Sequence, residues 1–192
     1  MEKKNIDWGN IGFGYIPTDK RFVANYKNGA WDEGGLTEDP NIVMNECAGV
    51  LQYAQTVFEG MKAYTTEDGH IVTFRPDLNA KRMVDSAKRL EMPPFPEDKF
   101  VDAIVQTVKA NEAYVPPYGT GATLYIRPYM FGINPVIGVK PATDYQFRVF
   151  ATPALMCPVP CGAARSKSDT HSVSGFTPPL KYGPTGVANT RN

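Results

Sequence analysis

No run in the sequence approaches the roughly 18 consecutive apolar residues of a membrane-spanning helix. The first ten residues, MEKKNIDWGN, carry cations with no apolar stretch behind them. That start lacks the pattern of a secretory leader, and a cytoplasmic chain is expected. A surplus of charge is also missing: 20 Lys+Arg stand against 20 Asp+Glu. This excludes the electrostatic footprint of a general nucleic-acid or anionic-membrane binder, and favours a small molecule or a protein as partner. Cysteine is scarce, with only Cys47, Cys157 and Cys161. An odd number is a poor basis for a disulfide framework, and three residues between Cys157 and Cys161 with no second pair read as reduced thiols, not a zinc site. The two histidines, His70 and His171, are too far apart in sequence to argue a dyad, so no metal is expected.

What is present is a chain of 192 residues, 42% of them apolar. That is enough for one compact domain, or one domain with a tail, and too short for two full domains. Seventeen glycines and seventeen prolines punctuate short elements. RFVANY (21–26) followed by Asn28-Gly29 and Ala30-Trp31 predicts a hairpin. MKAYTT (61–66) and IVTF (71–74) around Glu67-Asp68-Gly69 predict a second. Pro76 stands where a helix would begin, and Leu78, Ala80, Met83, Val84, Ala87 and Leu90 recur at helical spacing after it. A second helix is predicted from Glu97 to about Asn111, with Phe100, Ile104, Val105 and Val108 on one face and Pro116-Pro117 beyond its end. ATLYIR (122–127) and YQFRVFA (145–151) read as strands. The expected fold class is α+β, an antiparallel-rich sheet with helices packed on one face. From Pro153 to Asn192 there are six Pro, four Gly, four Ser and four Thr with no sustained apolar period. The expected division is therefore a domain over 1–152 and an irregular, largely unstructured tail over 153–192.

Four stretches could carry chemistry. In YAQTVFEGMK (53–62) a short helix bearing Tyr53, Val57 and Phe58 is expected to run into Gly60, its rings forming either core or a pocket wall. Arg82, four residues after Leu78, lies near the apolar stripe, and its planar fork suits a phosphate or a buried carboxylate, unless its stem merely snorkels to water. Strand alternation puts Tyr125 and Arg127 on one face, where they could bind a small acid's carboxylate or simply face solvent. The loop FGINPVIGVK (131–140) is apolar, and would be buried, cap a pocket or meet another chain.

In order and spacing, LQYAQTVFEGMKAY (51–64), FRPDLNAKRM (74–83), LYIRPYMFG (124–132) and GVKPA (138–142) resemble the branched-chain amino acid aminotransferases, fold-type-IV enzymes. The resemblance covers about residues 5–152. D-amino acid transaminases and aminodeoxychorismate lyases share that architecture but match these motifs less well. The resemblance implies pyridoxal 5′-phosphate as cofactor and transfer of an amino group between leucine, isoleucine or valine and 2-oxoglutarate. It implies that Arg82 holds the cofactor phosphate, that Tyr53, Phe58 and Phe13 wall the branched side chain, and that Tyr125 and Arg127 face the substrate, with Arg127 suited to glutamate's distal carboxylate. Val139 and Tyr53 resemble residues lent to a neighbouring subunit's pocket, implying a homodimer. Arg82 and Arg127 are expected to converge on one shared hollow.

The family continues with a VGPYF-type linker and a larger domain carrying the Schiff-base lysine and the carboxylate that pairs with the pyridine nitrogen. After Thr152 this sequence reads PALMCPVPCGAARSK, which resembles none of that. Lys167 and Lys181 lack the family's surrounding residues, so no catalytic residue is nominated. A frameshift or misjoined gene end would produce such a tail. The alternative expectation is a non-catalytic remnant lacking the lysine-bearing domain.

Overall fold

The computed structural model describes residues 2–155. Among the described residues, no helix is long and apolar enough to cross a membrane. The tail from Met156, with Cys157, Cys161, Lys167, His171 and Lys181, lies outside them.

The chain forms strands β1 (Arg21–Lys27), β2 (Ala30–Trp31) and β3 (Gly35–Thr37), then helix α1 (Gly49–Tyr53) and strands β4 (Thr56–Phe58), β5 (Met61–Thr65) and β6 (Ile71–Thr73). Helices α2 (Pro76–Arg89) and α3 (Glu97–Ala110) follow, then the long strands β7 (Thr123–Gly132) and β8 (Tyr145–Ala154). One antiparallel sheet runs β2-β1-β8-β7-β5-β6, with β3 also on β1 and β4 also on β7. The first hairpin turns at Asn28 and Gly29, both at positive φ (53° and 83°), and its strands pair Lys27 with Ala30. The second pairs Thr65 with Ile71. Both were legible from their turn residues.

Alternation along β7 and β8 gives the sheet two unlike faces. Leu124, Ile126 and Met130 of β7 and Tyr145, Phe147, Val149 and Ala151 of β8 are buried beneath the helices. Phe95 stacks on Phe147 with ring centroids 3.9 Å apart, and Phe100 leans on the same ring. Tyr125, Arg127 and Tyr129 point the other way, beside Thr152, Phe150 and Arg148 of β8. This second face carries no helix layer among the described residues and is called the open face below.

Several local expectations are corrected. The helix expected around Tyr53 ends there, at Ala54 in the left-handed region (φ 50°), so Val57 and Phe58 lie on a strand. Thr56-Val57-Phe58 suits a pleated surface better than a helix. β7 runs through Pro128 instead of stopping at Arg127. Pro128 accepts a bond from the Glu59 amide (2.9 Å) but has no N–H to return, and the β4–β5 strand breaks opposite it at Glu59-Gly60. In α2 the inward stripe is Asn79, Ala80, Met83, Ser86 and Ala87, while Leu78 is exposed. Asn79 is turned inward because its amide donates to the buried Glu59 carboxylate (2.8 Å). In α3, Ala103 and Thr107 are buried and Val105 is exposed; Thr107 satisfies its hydroxyl on the Ala103 carbonyl (2.8 Å).

The N-terminal arm is tied down where Tyr114 donates to Asp19 (2.6 Å) and Lys4 approaches the same carboxylate (3.4 Å). The Tyr114 hydrogen bond first, and Lys4 beside it, hold the Asp19 carboxyl below its ordinary range. A depressed carboxyl stabilises the fold above its unfolded pKa, near 3.9, and that contribution is lost as pH falls through the folded value. Asp19→Asn therefore costs about 0.5 kcal/mol near neutrality, because the pair is half-exposed. In urea titrations the difference from the parent chain begins to shrink as pH falls below about 4 and is gone only below the depressed folded pKa.

Candidate functional site

The residues singled out from sequence fall into three groups. On the open face, Arg127 donates through Nε (3.0 Å) and Nη2 (2.7 Å) to the Tyr125 hydroxyl. Its guanidinium also lies 4.4 Å from the centroid of the Phe58 ring, a cation–π contact. Phe13 meets Tyr125 edge-on with centroids 5.6 Å apart. The structure thus gathers Phe13, Phe58, Tyr125 and Arg127 into one cluster. Among the described residues, no carboxylate pairs with Arg127. Gly60 makes the arrangement possible, since a Cβ there would stand 2.8 Å from the Tyr125 hydroxyl.

The second group is Arg82 with Glu59. Arg82 donates through Nε (3.1 Å) and Nη2 (2.6 Å) to the two carboxylate oxygens. Of the two anions its position suggested, the buried carboxylate is the one present in this chain, although 57% of the Arg82 side chain remains exposed against 10% of Glu59. Sequence reasoning passed over Glu59. The signal was available: alternation puts it on the same face as Val57 and Met61, and an acid on a buried face calls for a cation.

Arg82 and Arg127 meet different residues of the break between β4 and β5. Glu59 points to the helix layer and meets Arg82; Gly60, the next residue, stands opposite Arg127 on the open face. Arg82 is thus tied to Glu59 of the break, and Arg127 to Tyr125 and Phe58 beside it. The outer edge of β4 has no strand partner among the described residues.

The third group lies on the other side of the Gln55 turn. Tyr53 donates its hydroxyl to the Ile137 carbonyl, and the pair borders a cavity of about 240 Å³ with Cys47, Gln52 and Val136. Gln55 holds the loop by accepting from the Ala142 amide (2.9 Å). Val136 is buried there, yet Ile137 and Val139 at the tip are 85% and 91% exposed. Tyr53 and Val139 thus share a region apart from the Arg127 cluster.

With this geometry in place, the comparisons with known proteins decide the family. The family model of amino-transferase class IV matches residues 56–183. The chain belongs to the class IV aminotransferases. A branched-chain-amino-acid aminotransferase of Haemophilus influenzae is 50% identical over 150 residues, which is 78% of this chain and 44% of that protein. The crystal structure of a branched-chain aminotransferase from Thermoproteus uzoniensis with norvaline aligns at TM-score 0.56 and 24% identity, over 71% of this chain and 41% of that one. A further crystal structure, of a "T.th." branched-chain amino acid aminotransferase complexed with N-(5′-phosphopyridoxyl)-L-glutamate, aligns at TM-score 0.51 and 27% identity, over 70% and 41%. The antiparallel sheet with helices on one face is thus the fold of these aminotransferases over the region they share. This chain spans under half the length of each of these relatives.

Proposed function

We propose that this class IV aminotransferase chain belongs to a branched-chain amino acid transaminase, moving the amino group between leucine, isoleucine or valine and 2-oxoglutarate with pyridoxal 5′-phosphate. The observation that carries the reading is the Arg127 guanidinium, held on the Tyr125 hydroxyl and over the Phe58 ring with no carboxylate partner among the described residues. A planar fork in that setting suits the distal carboxylate of glutamate or 2-oxoglutarate. The aromatic faces of Phe58 and Phe13 remove an aliphatic side chain from water at about 25 cal/mol per Å². One surface then serves both half-reactions.

When bound, pyridoxal phosphate supplies the electron sink for breaking the substrate's α-C–H bond. Arg82 would hold its phosphate. More than half of that side chain stays accessible after the Glu59 pairing, and Glu59 fixes its fork in orientation. The relative complexed with a phosphopyridoxyl-glutamate supports the cofactor and a glutamate-type substrate by analogy. Tyr53, at the end of α1 and bonded to the Ile137 carbonyl, and Val139, exposed two residues further along that loop, fit a role in a second subunit's pocket, and we assign the protein as a cytoplasmic homodimer. The amine that forms the Schiff base is assigned to no described residue.

The test is equilibrium dialysis of labelled 2-oxoglutarate, and separately of labelled leucine, against the purified chain supplied with pyridoxal phosphate. Arg127→Lys weakens 2-oxoglutarate about fivefold with less change for leucine, because one point charge replaces a fork. Absence of 2-oxoglutarate binding from the parent chain, or an equal weakening for both ligands, would sink the proposal.

A further inference from the structure

A second pair of cations on the open face is not used by the reading above. Arg21 of β1 and Arg148 of β8 are each only 5% exposed. The register Phe22↔Val149 and Val23↔Arg148 puts both on the open face, on neighbouring strands. Arg21 donates to the Thr18 carbonyl (2.9 Å) and the Glu38 carbonyl. Arg148 donates to the carbonyls of Asn41 (3.0 Å) and Asp39 (3.1 Å) and to the Gln146 amide oxygen (3.3 Å). Every one of these acceptors is neutral. Among the described residues, no carboxylate lies within ion-pair distance of either guanidinium. The nearby acids bond other groups, Glu38 to Lys20 (2.6 Å) and Asp39 to the Asn41 amides (2.9 and 2.8 Å), and act on the arginines only through space, Glu38 on Arg21 and Asp39 on both. Two like charges buried side by side are costly unless an anion joins them.

Both arginines line a cavity of about 280 Å³, together with Tyr15, Pro40, Tyr129 and Phe150. The rings interlock, with Tyr15 and Tyr129 each edge-on to Phe150 at 6.1 and 5.9 Å. Burial raises the Tyr129 hydroxyl above its ordinary range, while Arg148 and Arg21 pull it part of the way back, so both positive charges are felt inside the hollow. The guanidinium groups still have N–H donors to offer, since each carries five and the bonds above use two or three.

We propose that this cavity binds a small monocarboxylic organic anion, its carboxylate meeting Arg21 and Arg148 and its apolar body lying among Tyr15, Tyr129 and Phe150. The cavity adjoins the Arg127 cluster but is not lined by Arg127: Arg127 stands opposite Phe150, while Arg148 stands opposite Tyr129 in the next same-face row. It requires no turnover and stands apart from the transaminase reading.

The test is calorimetric titration of the full 192-residue chain with 4-methylpentanoate, an acid without an amino or oxo group, and separately with inorganic phosphate. One class of 4-methylpentanoate binding survives Arg127→Met and is weakened at least about tenfold by Arg148→Met, the scale of a lost charge-assisted contact. Phosphate, which has no apolar body, binds at least about tenfold more weakly. Arg148 also anchors residues 39–41, so Arg148→Met could fail to fold. Tyr15→Glu is the second variant: it alters a side chain 60% exposed at the rim, and it lowers the same affinity while the melting temperature holds. The proposal is overturned if binding is absent from the parent chain, if it disappears with Arg127→Met alone, if phosphate binds as tightly, or if a folded Tyr15→Glu binds like the parent.

Discussion

Arg82→Met destabilises the folded chain by about 2–3 kcal/mol, whereas Glu59→Gln costs only about 1 kcal/mol. The asymmetry follows from burial. Glu59 is one-tenth exposed and loses both Nε and Nη2 when Arg82 goes, keeping only the Asn79 amide and a charge in a poorly solvated place. Arg82 is more than half exposed, and can turn its head to water when Glu59 is neutralised. The figure sits below the range for a fully buried pair because one partner is already solvated. Urea denaturation of the two single variants and the double checks this, the double recovering part of the Arg82→Met loss because no unpaired anion remains. Equal losses in the two single variants would show that Glu59 is as well solvated as its partner, and would remove the reason for regarding Arg82 as held in place.

Gly60→Ala weakens 2-oxoglutarate binding tenfold or more, roughly 1.4 kcal/mol or above, and destabilises the fold by about 1–3 kcal/mol. A methyl at this position stands 2.8 Å from the Tyr125 hydroxyl and 3.4 Å from two of its ring atoms. The ring cannot swing away freely, because Phe13 packs on its side and Arg127 donates two bonds to its oxygen. Moving that oxygen releases the guanidinium from the geometry that presents its fork. Equilibrium dialysis with labelled 2-oxoglutarate measures the first effect and urea denaturation the second. A Gly60→Ala chain that binds 2-oxoglutarate like the parent would show that Tyr125 does not position Arg127.

How far the sequence carried the fold depended on whether the signal was local. Asn28-Gly29 and Asp68-Gly69 marked their hairpins because such turns require positive φ, which Asn28, Gly29 and Gly69 take at little steric cost. Pro76 marked the start of α2 for the same reason: its ring fixes a backbone angle before any packing occurs. Spacing was less informative where two periods compete. Val57 and Phe58 fit an apolar helix face as well as a strand, and the left-handed Ala54 that separates helix from strand left no mark in residue type. Pro128 looked like a terminus and is instead an interior strand residue, tolerated because its missing N–H falls at the β4–β5 break.

In the site, Tyr125 and Arg127 were legible as a same-face pair because a strand's period is two, and Arg82 as a cation seeking an anion because of its place beside an apolar stripe. That the anion within this chain is Glu59, that Gly60 clears room for a hydroxyl, and that Arg21 and Arg148 stand side by side without a carboxylate were not. Each depends on residues distant in sequence being brought together by strand pairing and helix packing. Local chemistry sets which elements form and which side chains share a face, so the sequence alone determined the hairpins, the two long helices and the family motifs. Which face meets the helices and which stays open is decided by the register of β1, β8, β7 and β5 in one sheet, since a one-residue slip in any pair would exchange the buried and the open sets.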